Sequence, residues 1–198
     1  MILVPLATTT PSDPFYRYDG KEPLSSYEPR DVLKKRTLDY HGLGIPTPVK
    51  AIQLLYCSTD AQGRPSANVT TVVRSHSGDG SKAVSYQSFY DSLNPEDGPS
   101  RAVAGDVSFG GIIPQGEALL MAPLLLKGYD LVIPDTEGQT AEFAAGPAYA
   151  TYTLDAIRAS TRAEETGLHD GTRFGLLGYS GGAIATNWAA ALAPRVRA

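Results

Sequence analysis

The chain has 198 residues, 42% of them hydrophobic and 19% charged, which is enough for one globular domain with a buried core. Its net charge of −4 argues against a nucleic-acid-binding protein, because such proteins normally carry a basic face. No apolar run approaches the roughly 20 residues of a membrane-spanning helix. The single cysteine, Cys57, cannot form an internal disulfide and is expected to be a small buried hydrophobe.

The amino-terminal part predicts an arm followed by a β-hairpin. Residues 1–45 are rich in Pro, Ser, Asp and Gly, which is typical of an irregular segment, although residues 29–40 could form a short strand or a turn of helix. The β-rich runs 51–59 and 67–75 are separated by the turn-like loop DAQGRPS, and this pattern predicts a hairpin.

Strand and helix signals alternate from residue 83 onward. The predicted elements are, in order, a strand over 83–88, a polar loop over 90–106, a helix over 116–129 that stops at Gly128, a strand over 129–134, a helix opening at Pro147, a strand over 172–178 and a helix over 182–192. Pro123 is expected to kink the first of these helices or to shift its start. The alternation predicts an α/β fold, with a mostly parallel sheet, helices on both faces and the hairpin adding antiparallel strands at one edge.

A tight corner joins the last predicted strand to the last predicted helix. It has the sequence GYSGG around Ser180, and a G-x-S-x-G corner between strand and helix is the nucleophile elbow of α/β-hydrolases. Side chains at Gly178 and Gly182 would collide with the neighbouring strand and helix. The turn lifts the Ser180 hydroxyl above the sheet, beside the positive end of the following helix. A glycine-rich loop with an incidental serine is the alternative, but the flanking strand and helix favour a nucleophile.

A serine nucleophile needs a histidine base and an acid that orients it, and in this fold both follow the serine in the chain. The 18 residues after Ser180 contain no Asp, Glu or His. His76 and His169 precede predicted strands and should lie at the opposite end of the sheet, while His41 lies in the arm. Each is expected to be an ordinary loop histidine. We therefore expect the chain to be the amino-terminal part of a longer hydrolase, with the strand over 172–178 at an open sheet edge.

Two backbone N–H groups are candidates for an oxyanion hole, which stabilises the charge that develops in acyl transfer. One belongs to Gly181, the residue after the nucleophile, and the other to the loop after strand 83–88, where Asp91 or its neighbour is the candidate. Because an ionised carboxylate would repel an oxyanion, the Asp91 side chain should be neutral or turned away. A loop cap or turn is the alternative. Asp135 and Glu137 lie at the same end, either as solvated turn residues or as lining of the site.

The remaining motifs indicate no further chemistry. The glycosylation sequon at Asn68 falls inside a predicted strand and is expected to be accidental. The sequence contains no phosphate-binding loop, metal-ligand cluster or dinucleotide-binding glycine pattern, so neither a cofactor nor a metal is expected.

Six segments resemble the secretory lipase family in order and spacing. They are DPFY, IQLLYCSTDAQGRPSANVTTVV, VSYQSFYDS, GYDLVIPDTEG, LDAIRA and GYSGGAIATNWAAAL, and they extend from about Asp13 to Leu192. The last segment is much more specific than G-x-S-x-G alone. The resemblance implies that Ser180 is the nucleophile, that Asp91 occupies the family's oxyanion position and that Gly181 is the second donor.

The resemblance also implies a secreted α/β-hydrolase that cleaves lipid and carboxylic esters. Residues 1–45 would be the arm and residues 46–198 the amino-terminal part of the hydrolase domain, incomplete without its carboxyl-terminal strands and cap domain. The partner implied is the remaining carboxyl-terminal part, which would supply the acid and the histidine. The start of the chain shows no convincing signal peptide. The alternative is a non-catalytic remnant or assembly subunit of the same fold that works by binding.

Overall fold

The computed structural model describes residues 13–106, 108 and 110–195. Six strands form one sheet: β1 (Val32–Gly42), β2 (Ile45–Thr59), β3 (Pro65–Val73), β4 (Lys82–Gln87), β5 (Asp130–Pro134) and β6 (Arg173–Gly178). Their order across the sheet is β1-β2-β3-β5-β4-β6. The pairs β1–β2, β2–β3 and β3–β5 are antiparallel, and β4 pairs parallel with both β5 and β6. The predicted α/β fold is confirmed, but the sheet is mixed and not mostly parallel as expected, because β1 and β3 add antiparallel pairings and three of the five described pairings are antiparallel.

The predicted hairpin is formed by β2 and β3, which pair from Thr59 opposite Pro65 to Ala51 opposite Val73. Asp60 closes the connecting loop, because its carboxylate accepts a hydrogen bond from the Arg64 N–H at 2.8 Å. The long β-rich runs on both sides of this turn account for the success of the prediction.

The arm is not irregular throughout, contrary to expectation. Of the two possibilities weighed for residues 29–40, the strand is the one observed, and β1 runs for 11 residues along β2. Three consecutive charged residues, Lys34, Lys35 and Arg36, interrupt the apolar alternation that would have predicted it. Such charges are common on edge strands, where they discourage pairing with another molecule. The first 12 residues of the arm lie outside the described part.

The described residues form five α-helices: α1 (Pro99–Ala104), α2 (Ile112–Gly116), α3 (Ala118–Leu126), α4 (Gly146–Arg162) and α5 (Gly181–Leu192). Consecutive β5 residues point to opposite faces of the sheet. On one face Val132 packs in a cluster with Ala156 of α4, and α5 packs beside α4. On the other face Leu131 packs in a cluster with Met121 of α3. The helices therefore cover both faces of the sheet, as predicted.

Two helices differ in detail from the prediction. α1 lies within residues 90–106, which were expected to be a polar loop, and its six residues are too few for a periodic signal. The helix predicted over 116–129 begins at Ala118 and contains Pro123. It ends before Gly128, whose φ of +80° suits a glycine stop.

β6 lies at one edge of the sheet, and no other described strand pairs with its outer side. The apolar side chain of Leu177 in this strand is 45% exposed. No helix in the described residues is both long enough and apolar enough to cross a lipid bilayer.

Candidate active site

Three loops meet at one edge of the sheet, because the parallel strands β4, β5 and β6 all end there. The loop after β4 carries Asp91, the loop after β5 carries Asp135 and Glu137, and the corner after β6 carries Ser180. We call this end of the sheet, where the parallel strands finish, the carboxyl edge; it is distinct from the side of the sheet formed by β6. It is where the working groups of a parallel sheet are expected.

Ser180 occupies the corner between β6 and α5 in a strained conformation. Its φ is 52° and its ψ is −120°, values that few residues other than glycine adopt. Strain of this kind is concentrated at functional sites. The residue is exposed, and its side chain makes no capping hydrogen bond to α5. The hydroxyl is therefore accessible at the positive end of a helix.

The two glycines that flank the corner lie too close to other backbone for a side chain. A Cβ on Gly178 would lie 2.2 Å from the carbonyl oxygen of Gly182, and a Cβ on Gly182 would lie 2.1 Å from the carbonyl oxygen of Gln87. Both distances are far below a van der Waals contact. The glycines thus allow β4, β6 and α5 to approach closely around Ser180.

Asp91 and Gly181 are brought together at the carboxyl edge. A Cβ on Gly181 would lie 1.7 Å from Asp91 Oδ1, so the carboxyl group rests directly against this glycine. Asp91 has a φ of +30°, also in the region that favours glycine. Partial burial raises the pKa of the Asp91 carboxyl, which favours the neutral form and weakens repulsion of a nearby oxyanion. The N–H of Gly181 lies in the first turn of α5, where such groups have no acceptor within the helix.

Asp135 and Glu137 are each only 1% exposed, so they are not solvated turn residues. Asp135 accepts a hydrogen bond from the N–H of Ser100 at 2.9 Å. Glu137 accepts hydrogen bonds from the Tyr149 hydroxyl at 2.9 Å and from the Ser92 N–H at 3.2 Å. Burial raises the pKa of Glu137 to about 7. Both carboxyls are buried supports of the loops that surround Ser180.

Glu117 is a third buried carboxyl beneath these loops, and nothing in the sequence pattern singles it out. It accepts hydrogen bonds from the Tyr86 hydroxyl and from the Phe89 N–H, both at 3.1 Å, and from the Ser88 hydroxyl. Burial raises the pKa of the Glu117 carboxyl. A lone acidic residue before the apolar helix α3 was the only signal available.

The surroundings of Ser180 are partly apolar. The rings of Phe89 and Tyr179 meet edge to face with their centres 5.7 Å apart. Tyr179 is 73% exposed, and Leu93 in the loop after β4 is 80% exposed. An ester with a hydrocarbon chain would find apolar contacts on this surface.

Two of the three histidines lie at the opposite end of the parallel strands from the carboxyl edge. These are His76, which follows β3, and His169, which precedes β6. His41 lies in β1 opposite Pro46, and its Nδ1 is 3.1 Å from the carbonyl oxygen of Val103 in α1. None of the hydrogen bonds described for these histidines reaches Ser180.

Cys57 and Asn68, which were also considered from the sequence, are buried and make contacts that support the fold. Cys57 is buried, and burial raises the pKa of its thiol to about 11. Asn68 is also buried, and its Nδ2 donates to the carbonyl oxygen of Asp135 at 2.8 Å. In residues 13–106, 108 and 110–195, no group of three or more His, Cys, Asp or Glu side chains is arranged to hold a metal ion.

The parallel half of the sheet, the corner at Ser180 and the helices on both faces define an α/β-hydrolase fold. The crystal structure of Candida antarctica lipase A superposes on this chain with a TM-score of 0.79 at 27% sequence identity, covering 92% of this chain and 42% of that one. The sequence model described as secretory lipase matches residues 105–196. The resemblance to the secretory lipase family is therefore confirmed.

Individual relatives include named lipases and one protein named as inactive. Lipase 5 of Candida albicans is 37% identical over 194 residues, which cover 94% of this chain and 41% of that protein. A Mycobacterium tuberculosis protein named a probable inactive lipase is 36% identical over 185 residues, which cover 90% of this chain and 40% of that protein. The chain thus corresponds to the amino-terminal portion of lipase homologues and spans about two fifths of their length.

Proposed function

We propose that this chain is the amino-terminal part of a serine lipase or carboxylic ester hydrolase that forms an acyl-enzyme on Ser180. The observation that carries the proposal is the strained, exposed serine at the start of α5, with the Asp91 carboxyl resting against Gly181. A nucleophile and two candidate oxyanion donors thereby share one small surface. This arrangement fits acyl transfer.

In the proposed reaction, Ser180 Oγ attacks the ester carbonyl carbon while a histidine accepts the hydroxyl proton. The N–H groups of Gly181 and Asp91 donate hydrogen bonds to the resulting oxyanion. Collapse of this intermediate breaks the ester C–O bond, and the histidine returns the proton to the departing alcohol. A water molecule then attacks the acyl group on Ser180 by the same route, and the carboxylic acid leaves.

The histidine and its acid are proposed to lie beyond residue 198. Two observations support this: none of the hydrogen bonds described for the three histidines reaches Ser180, and the relatives are more than twice as long as the chain. The exposed outer side of β6, including Leu177, is proposed to pair with a strand of that carboxyl-terminal part. We use "full-length protein" below for residues 1–198 together with this part.

The proposed substrate is a lipid or another carboxylic ester, and the proposed location is outside the cell. The apolar surface near Tyr179 and Leu93 supports a hydrocarbon-bearing ester. The description of the matching family as secretory supports secretion.

A second candidate is a protein that kept the fold but works by binding. The relative named a probable inactive lipase favours this candidate, because a chain 36% identical to ours carries that description. The two candidates differ in one measurable property, the reactivity of Ser180.

A fluorophosphonate probe tests the proposal. We expect it to label full-length protein at Ser180, as mapped by mass spectrometry of the labelled peptide, because an activated serine attacks phosphorus as it attacks an ester. Folded variants His41→Ala, His76→Ala and His169→Ala should label at the wild-type rate, since the base lies elsewhere. Labelling of another residue with Ser180 untouched would overturn the nucleophile, and loss of label in one histidine variant would overturn the location of the base. A folded protein that takes no label would favour the binding candidate.

Replacement of Asp91 tests the oxyanion position. In full-length protein, Asp91→Ala keeps the backbone N–H but removes the carboxyl that rests against Gly181, and the resulting shift of the donor should lower kcat by about 10² with little change in KM. Proline, which would delete the N–H, is unsuitable here because its ring cannot adopt the φ of +30° found at Asp91. Asp91→Asn tolerates this φ and keeps the side-chain shape, so it should lose less activity than Asp91→Ala. If both variants stay within tenfold of wild type by steady-state kinetics, the Asp91 carboxyl does not position the oxyanion donor.

A further inference from the structure

Glu137 contacts both neighbours of Asp91. Its carboxylate accepts hydrogen bonds from the Ser92 N–H at 3.2 and 3.3 Å, and its own N–H donates to the Tyr90 hydroxyl at 3.0 Å. Tyr90 is 3% exposed and Glu137 is 1% exposed, so the bond between them is shielded from water, while the bonds from Ser92 are partly buried. The loop is therefore held immediately before and immediately after Asp91 by a single buried residue.

The loop needs such support because Asp91 is strained. Its φ of +30° is unfavourable for a residue with a side chain, and such a conformation persists only where the surroundings enforce it. Glu117 holds the preceding stretch through the Phe89 N–H. Among residues 13–106, 108 and 110–195, Glu137 is the one whose hydrogen bonds hold the residues on both sides of Asp91.

We propose that Glu137 is a positioning residue for acyl transfer, holding the Asp91 N–H where it meets the oxyanion. This inference rests on the proposed function. Glu137 lies beneath the loop and acts through Ser92 and Tyr90, so it belongs to the support of the site and not to the reacting groups. Small displacements of such donors are costly, because a shift of about 1 Å can lower a rate by about 10².

The ionised form of Glu137 is the form that holds the loop best. A carboxylate can accept from the Ser92 N–H with both oxygens, whereas a protonated carboxyl has one good acceptor left. The groups facing Glu137 are the Tyr149 hydroxyl, the Tyr90 hydroxyl and the carboxyls of Asp91 and Asp135. Burial raises the pKa of Glu137 to about 7, and the two carboxyls act in the same direction. The support should therefore strengthen as pH rises through 7.

The test compares Glu137→Gln with wild type in full-length protein between pH 5.5 and 8.5. Glutamine has the same shape but cannot ionise, so it resembles the protonated form of Glu137 at every pH. At pH 8.5 we expect kcat per labelled Ser180 to fall about tenfold with KM unchanged, less than the loss of a whole oxyanion donor. At pH 5.5 the two proteins should differ by less than twofold. Taking the ratio of the two rates cancels the titration of the histidine base.

Glu142→Gln serves as the matched control, because Glu142 accepts from the Ala61 N–H and does not contact the loop at Asp91. It should match wild type at every pH. A kcat ratio between wild type and Glu137→Gln that stays near one across the range would overturn the inference while leaving Ser180 labelling intact. A ratio that is large but independent of pH would also overturn it, because that result indicates a general structural defect. Failure of wild type to label at Ser180 would instead overturn the proposed function.

Discussion

Ser180→Ala in full-length protein is expected to lower kcat for a p-nitrophenyl ester by about 10⁶, as loss of the nucleophile does in a well-studied serine protease. No second aliphatic hydroxyl replaces it in the corner, because its neighbours there are Gly181 and Tyr179, whose phenol is carried on a ring that packs on Phe89. KM should change little, since the exposed hydroxyl makes no contact that holds the loops together. Stability should be unchanged or slightly higher, because no hydrogen bond of α5 is lost.

Ser25→Ala is the control for this measurement. Ser25 is exposed in the arm and lies far from Ser180 in the sequence. Removing its hydroxyl should leave kcat at the wild-type value. Initial rates with p-nitrophenyl butyrate, normalised to folded protein, decide the outcome. More than about 1% of wild-type turnover in Ser180→Ala is incompatible with an acyl-enzyme on this residue, given the size of effect that such a loss produces.

The fold was predictable where local patterns and buried strands agree. Long β-rich runs on both sides of the loop at Asp60 fixed the hairpin, and apolar strands alternating with amphipathic helices fixed the parallel half. β1 was expected only as one of two possibilities for residues 29–40, because it is an edge strand whose charges at Lys34 to Arg36 mask its alternation. α1 escaped prediction because six residues form less than two turns, too short for a periodic signal.

Some residues of the candidate site could likewise be predicted from the sequence, and others could not. Ser180 and its glycines could be predicted because the steric demands of a tight corner leave a short, contiguous signature. Asp91 was singled out by its position after β4 together with the family resemblance, and its carboxyl lies against Gly181. The carboxyls of Glu117 and Glu137 could not be predicted to hold the loop, because their hydrogen bonds join residues 28 to 45 positions apart. Only the folded sheet brings such residues together.

The second large effect is expected from a substitution in the corner between β6 and α5. Gly182→Ala is expected to lower the free energy of unfolding of full-length protein by about 3 kcal/mol, at the upper end of the usual cost of overpacking. The added Cβ would lie 2.1 Å from the Gln87 carbonyl oxygen and 3.1 Å from the Ser88 carbonyl oxygen. Both atoms are backbone, so no side chain can rotate away to relieve the clash. The better helix propensity of alanine, about 1 kcal/mol, does not offset it.

The same substitution should also impair catalysis, since α5 can accommodate the Cβ only by moving away from the end of β4. That movement would carry Ser180 and Gly181 away from Asp91, and a shift of about 1 Å can cost about 10² in rate. The control is Gly116→Ala in α2, where an added Cβ would meet no atom within 4 Å. Urea unfolding and ester turnover should place Gly116→Ala near wild type and Gly182→Ala well below it in both measurements. Equal stability and equal turnover of the two variants would mean that α5 does not approach β4 as closely as the geometry of this corner requires.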